Sequence, residues 1–249
     1  MKKELYYSTV FQRKNILKEF LMGIFLSIAS YPRLLLEVFL RKNMGERYFS
    51  GASVITIFFL LAALPVFKER IITLELIGNN LLYYLFLMAF LYMSFKRGQE
   101  ISRLPSVFDF ARYSLANGEV YPSLRKLRFA DRDLDIRTIQ TIIEPGIFFV
   151  AGAILIFMDQ KLLGGVLAVS SVLFSLSYEA AYHFGEQMVM DEIDKIILSE
   201  DMVKAFVDED DPSQTRGVHF FGRKPADKGM RQRVMNSMSR KKDDFAEVI

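Results

Sequence analysis

Residues 144–186, EPGIFFVAGAILIFMDQKLLGGVLAVSSVLFSLSYEAAYHFGE, decide how this chain is read. Two apolar runs, 145–158 and 162–178, flank a polar Asp159-Gln160-Lys161 turn. A hydrocarbon core of ~30 Å is crossed by about 20 mostly apolar residues, because a helix rises ~1.5 Å per residue. The first run alone is short for that, but extended back through Ile142 and Ile143 and tied to its neighbour by a three-residue turn it becomes long enough. The stretch predicts a transmembrane helical hairpin.

Working outward, residues 51–67 (GASVITIFFLLAALPVF) and 76–95 (LIGNNLLYYLFLMAFLYMSF) carry no charge and predict a second hairpin, its first span beginning near Tyr48. The whole chain agrees: of 249 residues 51% are hydrophobic and 24% charged, with a mean hydropathy of +0.20, which fits a membrane protein with substantial polar parts. Cysteine is absent, so disulfides, thiolate metal sites and cysteine nucleophiles are excluded.

The fold expected is an all-α integral membrane protein with four transmembrane helices in two hairpins. Its parts are an N-terminal interfacial region (1–47), a first hairpin (48–95), a helical cytoplasmic loop (96–144) and a second hairpin (145–184). An acidic cytoplasmic helix (185–211) and a basic, flexible tail (212–249) complete it. Residues 16–40 are apolar but interrupted by Lys18, Glu19, Arg33 and Glu37, with Pro32 mid-run. That pattern predicts one or two helices in the membrane interface, a further or re-entrant span being the competing reading. The charged start does not lead into a cleavable signal pattern.

Lys and Arg set the orientation. Residues 1–48, 96–144 and 185–249 hold 29 of them, against Lys68, Arg70 and Lys161 elsewhere. Larger segments hold more charge in any case, but the flanks Arg41, Lys42, Arg47, Lys96 and Arg97 point the same way. Both termini and the central loop are expected in the cytoplasm of a plasma (inner) membrane.

The loop is patterned for short helices, one capped by Ser106 (SVFDFARYSLAN), a second at PSLRKLRF, and a third beginning at Asp131 or Asp133. Arg41, Lys42 and Arg47, and Arg125, Lys126 and Arg128, are expected to face lipid head groups. Residues 186–211 hold ten acidic and two basic residues around an apolar stripe; residues 212–249 hold nine basic and four acidic. Such block alternation predicts a solvated helix and then a loose arm. Within that arm Val218, His219, Phe220 and Phe221 form the apolar island expected to dock a partner.

Two patterns in the second hairpin stand out. Gly164, Ala168, Ser171 and Ser175 recur at steps of 4, 3 and 4, a stripe of small residues that allows close helix approach in lipid, with Gly146, Gly152 and Ala153 as candidate counterparts. Glu179, His183 and Glu186 follow on the same helix. They could supply metal ligands or a proton relay, but one helix alone contributes them, and a hydrated helix end is the reading preferred. No hydrolase, zinc-protease, phosphate-loop or dinucleotide motif is present.

No cofactor is expected, and no nucleic-acid partner, since the basic arm lacks a base-stacking or groove-reading module. The function expected is that of a non-enzymatic membrane subunit, structural or accessory, in a larger assembly of the secretion, conjugation or defence kind. Its partners would be membrane lipids and other proteins, or further copies of itself, reached through loop and tail. A small oligomeric transporter or channel is the alternative.

Overall fold

A computed structural model describes residues 16–69, 78–103, 108, 113–126, 128–129 and 132–243. The chain is mostly helical, and three of its helices are long and apolar enough to cross a membrane: Phe20–Leu40, Ile136–Phe157 and Lys161–Asp208. Gly51–Phe67 is equally apolar but shorter. Large apolar side chains such as Phe20, Phe59, Phe157 and Val169 stand exposed on these helices. In water such a belt would drive association; in lipid it is the expected outer face.

The chain divides into two compact units, Lys14–Tyr182 and one containing His183–Ile249. In the first, α1 (Ile16–Leu40) runs unbroken through Pro32. Only its C-terminal part is core: Leu34, Leu35, Leu36 and Val38 are buried, whereas Leu17, Phe20, Leu21, Ile24 and Ile28 are exposed. The hairpin partners α2 (Gly51–Glu69) and α3 (Leu81–Arg103) pack on it and on each other through Val54, Ile57, Tyr83, Leu87 and Phe90. The Tyr83 hydroxyl donates to the Leu61 carbonyl at 2.7 Å, which satisfies a buried polar group between two helices without water.

The central loop departs from the helical expectation. Arg41–Lys42 (β1) pairs antiparallel with Glu119–Val120 (β2), and Arg128–Phe129 (β3) pairs with Arg132–Asp133 (β4) around a short helix, α4 (Pro122–Arg125). Asp133 lies in β4 and so does not open a helix, while Asp131 lies outside the described residues. The next helix starts at Ile136, because Arg128–Phe129 and Arg132–Asp133 pair their backbone groups with each other instead. The helix expected from Ser106, much of the 68–75 connection and residues 1–15 lie outside the described residues.

Two glycines make the β1 junction possible. Gly118 sits at φ +86, and a Cβ there would stand 2.8 Å from the Lys42 carbonyl oxygen; one on Gly45 would stand 2.2 Å from that of Ser114. Gly45 and Arg47 donate their backbone N–H groups to Ala116 and Ser114 at 2.8 and 3.0 Å. The junction between α1 and α2 is thus zipped onto the central loop.

The quoted stretch forms α5 (Ile136–Phe157) and α6 (Lys161–Asp208). Its turn places Asp159 at φ +64, the left-handed region that Asp tolerates, and Gln160 donates back to the Leu155 carbonyl at 2.8 Å. A Cβ on Gly164 would stand 2.5 Å from the Gly152 carbonyl oxygen, and one on Gly152 would stand 2.8 Å from that of Gly164. Lower down, α5 widens into a π-helical segment, Ile139–Ile143, and the Ser175 hydroxyl donates to the Thr141 carbonyl at 2.6 Å.

In the second unit the tail is folded, not loose, through Asp243. The end of α6 turns π-helical over Lys204–Asp208 and stops at Glu209 (φ +63). Helix α7 (Lys228–Asp243) then packs on it through Met235 against Phe206 and Val207. The charge blocks neutralise one another within the chain: Arg216 pairs with Asp201 and Glu200, Lys228 with Asp208, and Arg231 with Glu209. These pairs offset the charge reversal, while the apolar contact of Met235 with Phe206 and Val207 holds the unit together.

Candidate functional site

The largest departure from a plain apolar bundle lies where α1 ends, α2 begins, the apolar part of α5 begins and the apolar run of α6 ends. Glu37, Arg41 and Glu144 are essentially inaccessible to solvent there. The Arg41 guanidinium pairs with the Glu144 carboxylate and donates to the Tyr178 hydroxyl. That hydroxyl in turn donates to Glu37 Oε1 at 2.6 Å and accepts from Asn117 Nδ2 at 3.1 Å. Tyr48 donates to Glu37 at 2.7 Å, and Arg33 approaches the same carboxylate at 3.5 Å.

Sequence and packing explain the geometry. Glu37 and Arg41 are one helical step of four apart, so both leave α1 on one face, with Arg33 a further step back. The β1–β2 pairing fixes the backbone at Arg41, and the Pro145 turn of α5 presents Glu144. Phe174, packed edge-to-face on Tyr178 at 5.1 Å, covers the Arg41 guanidinium, whose carbon lies 4.5 Å from the Tyr178 ring centroid. Two arginines and two glutamates balance in charge, which is the condition for keeping ions out of water. Three buried atoms of the cluster stay without hydrogen-bond partners, Arg33 Nε, Arg41 Nε and Glu144 Oε1.

A second buried arginine, Arg97 on α3, donates from Nε to the Val38 carbonyl at 3.0 Å and pairs with Glu100 at 2.6 Å. Nearby, Ser30, Tyr31, Arg33, Glu37, Arg47, Tyr48 and Ser53 line an open recess of about 160 Å³.

This arrangement corrects the expectation for Arg41, which does not face lipid head groups: it is fully buried, because Glu144 and Tyr178 replace its water. Lys42 is exposed and stands over the Tyr121 ring at 4.8 Å, Arg47 lies at the recess, and Arg125 and Lys126 are exposed around the end of α4. Arg128 lies in β3.

Gly164 meets Gly152, Ser171 is buried and Ser175 bonds to α5, so three of the four small residues face or enter the packed interior; Ala168 contributes the amide nearest a Cβ placed on Gly152. Glu179 does not turn to His183. It pairs with Arg137 of α5, whose guanidinium also stacks on Tyr182 at 5.2 Å, while His183 and Glu186 are exposed. No group of three or more metal-binding side chains occurs among the described residues.

The Val218–Phe221 island is divided: Phe220 packs on Phe206 at 4.7 Å inside the tail unit, Val218 accepts from the Thr215 hydroxyl, and His219 and Phe221 meet edge-to-face at the surface.

Sequence reasoning missed the Arg41–Glu144–Tyr178 cluster because its members are up to 137 residues apart along the chain. One signal was available: three charges at steps of four, Arg33 and Glu37 in the otherwise apolar C-terminal half of α1 and Arg41 just after it. No known protein family, curated protein or solved structure matches this chain.

Proposed function

We propose that the chain is a non-enzymatic integral membrane subunit, a structural or accessory component of a larger membrane-associated assembly. It would cross the plasma (inner) membrane four times, in the two hairpins 48–95 and 145–184, with both termini cytoplasmic. The packing of α1 only from Ala29 onward supports assigning its N-terminal half to the interface. Secretion, conjugation and defence machines are the classes proposed for the assembly.

One observation carries this reading: the buried ionisable groups are spent as ties between helices. Arg33, Glu37, Arg41 and Glu144 neutralise one another at one end of the bundle, and the exposed pair Arg137–Glu179 adds a link from α5 to α6. Charges used this way support a scaffold, whereas a carrier needs them along a path. The contact surface proposed is the cytoplasmic loop together with the tail unit. There Met188, Val189, Met190, Ile193 and Ile196 stand exposed between acidic residues.

The test is site-specific photo-crosslinking in cells from Met188 and Ile193, with lipid-facing Phe59 as control. A discrete protein adduct from the tail positions, absent at Phe59, is expected. A monomer with no adduct and no co-purifying chain in mild detergent would sink the proposal.

The recess beside Arg33 and Glu37 favours a second reading, a small oligomeric transporter or channel. Proteoliposome flux lost in Glu37→Gln would establish it, and absence of flux under any gradient would remove it.

A further inference from the structure

The recess between α1, the 41–50 junction and α2 has features the scaffold reading does not use. Its walls are Ser30, Tyr31, Arg33, Leu34 and Glu37 on one side, and Arg47, Tyr48 and Ser53 on the other, with Leu115 closing one edge. The volume, about 160 Å³, is comparable to cavities that admit a benzene ring, and a phosphate group is no larger.

The recess carries a surplus positive charge. Arg33 and Arg41 are balanced by Glu37 and Glu144, whereas Arg47 pairs with no carboxylate among the described residues. Glu37 does not oppose an incoming anion as a free carboxylate would, since both its oxygens accept from Tyr48 and one also from Tyr178. Arg33 lines the recess while only loosely tied: its Nε stands 3.5 Å from Glu37 without a formed hydrogen bond, and its Nη1 donates to the Ser177 hydroxyl at a long 3.5 Å. The first turn of α2 opens on the same space at Ser53, with no acidic residue in that turn. The start of a 19-residue helix adds partial positive charge there.

Position supplies the ligand. The recess lies beside the first turn of α2, where that helix's apolar run begins, which the proposed topology puts at head-group level, and Tyr31 and Leu34 give it an apolar flank. We propose that it is a binding site for a single phosphate group, held by Arg33 and Arg47, with Ser53 at the start of α2 lining the same recess. A phosphodiester of an anionic phospholipid matches the surplus charge of one, and free phosphate shares the same chemistry. Bound there, the phosphate bridges the C-terminal half of α1 to the start of α2.

The experiment uses the full chain in nanodiscs of phosphatidylcholine with and without phosphatidylglycerol, followed by native mass spectrometry after exchange into detergent. Wild type is expected to retain phosphatidylglycerol. Arg47→Gln, which changes an exposed side chain, is expected to lower retention roughly tenfold, the factor one charge-assisted hydrogen bond is worth. Ser53→Ala should lower it less, and Arg125→Gln on α4 should leave it unchanged.

A parallel arm titrates inorganic phosphate by ³¹P NMR. Retained lipid that millimolar phosphate does not displace assigns the site to a head group. Phosphate binding that is lost in Arg47→Gln, without lipid retention, assigns it to the free anion. If neither probe distinguishes Arg47→Gln from wild type, the proposal is overturned, whether or not Arg33→Gln folds.

Discussion

Arg41 and Glu144, 103 residues apart in the chain, form an ion pair from which solvent is fully excluded, and it joins the end of α1 to the start of the apolar part of α5. Such a pair contributes little to stability compared with apolar side chains of similar size, but removing one member leaves the other charged and buried.

Glu144→Leu or Arg41→Met alone is therefore expected to destabilise the bundle by about 3–5 kcal/mol, and the two together by clearly less than either. Thermal unfolding in detergent, analysed as a double-mutant cycle, checks this. Additive losses would show that the pair is not the unit.

Gly164 and Gly165 are adjacent on α6 but face different surroundings. A Cβ at Gly164 meets the Gly152 backbone at 2.5 Å, and one at Gly165 meets nothing within 4 Å. Gly164→Leu should separate the α5–α6 hairpin and lower the melting temperature markedly. Gly165→Ala should be neutral or stabilising by up to about 1 kcal/mol, the helix-propensity gain over glycine. Equal effects at the two positions would refute close packing at this face.

The tail unit rests on Phe206, Val207, Met235 and Phe220 more than on its exposed ion pairs, which individually contribute about 0–1 kcal/mol. Phe220→Ala is expected to cost about 3 kcal/mol or somewhat less at this partly exposed position, and to open residues 212–227 to limited proteolysis. Arg216→Gln should have the smaller effect.

In the 211–217 turn, the backbone N–H of Ser213 donates to Asp211 at 2.9 Å and, as the main cause, holds that carboxyl below its ordinary value of 3.8. A depressed carboxyl stabilises the turn above its unfolded value, and that stabilisation is lost as pH falls through the folded value. The Ser213 amide shift should accordingly titrate with a midpoint under 3.8 in an NMR pH series, and Asp211→Asn should abolish the step.

The absence of cysteine allows topology to be read by single-cysteine labelling. With four crossings and an interfacial α1, Lys3→Cys and Ser237→Cys should both react only from the cytoplasmic side, and Lys161→Cys only from the other. A Lys3 site labelled from outside would convert α1 into a fifth span.

Composition and the spacing of apolar runs sufficed for a helical membrane protein, because the bilayer imposes a length and polarity that a one-dimensional pattern can carry. The small residues from Gly164 to Ser175 were legible for the same reason, as a periodicity on one helix. What could not be read locally was the use of the charges. Arg41 looks like a head-group anchor beside Lys42 until the β1–β2 pairing, Tyr178 and Glu144 surround it, and Glu179 looks paired with His183 until Arg137 arrives from another helix. The basic tail, too, reads as a loose arm until its arginines meet the acids of α6. A side chain's polarity belongs to the sequence, but whether water, lipid or a buried counter-charge satisfies it depends on which distant segments fold against it, and only the tertiary structure decides that.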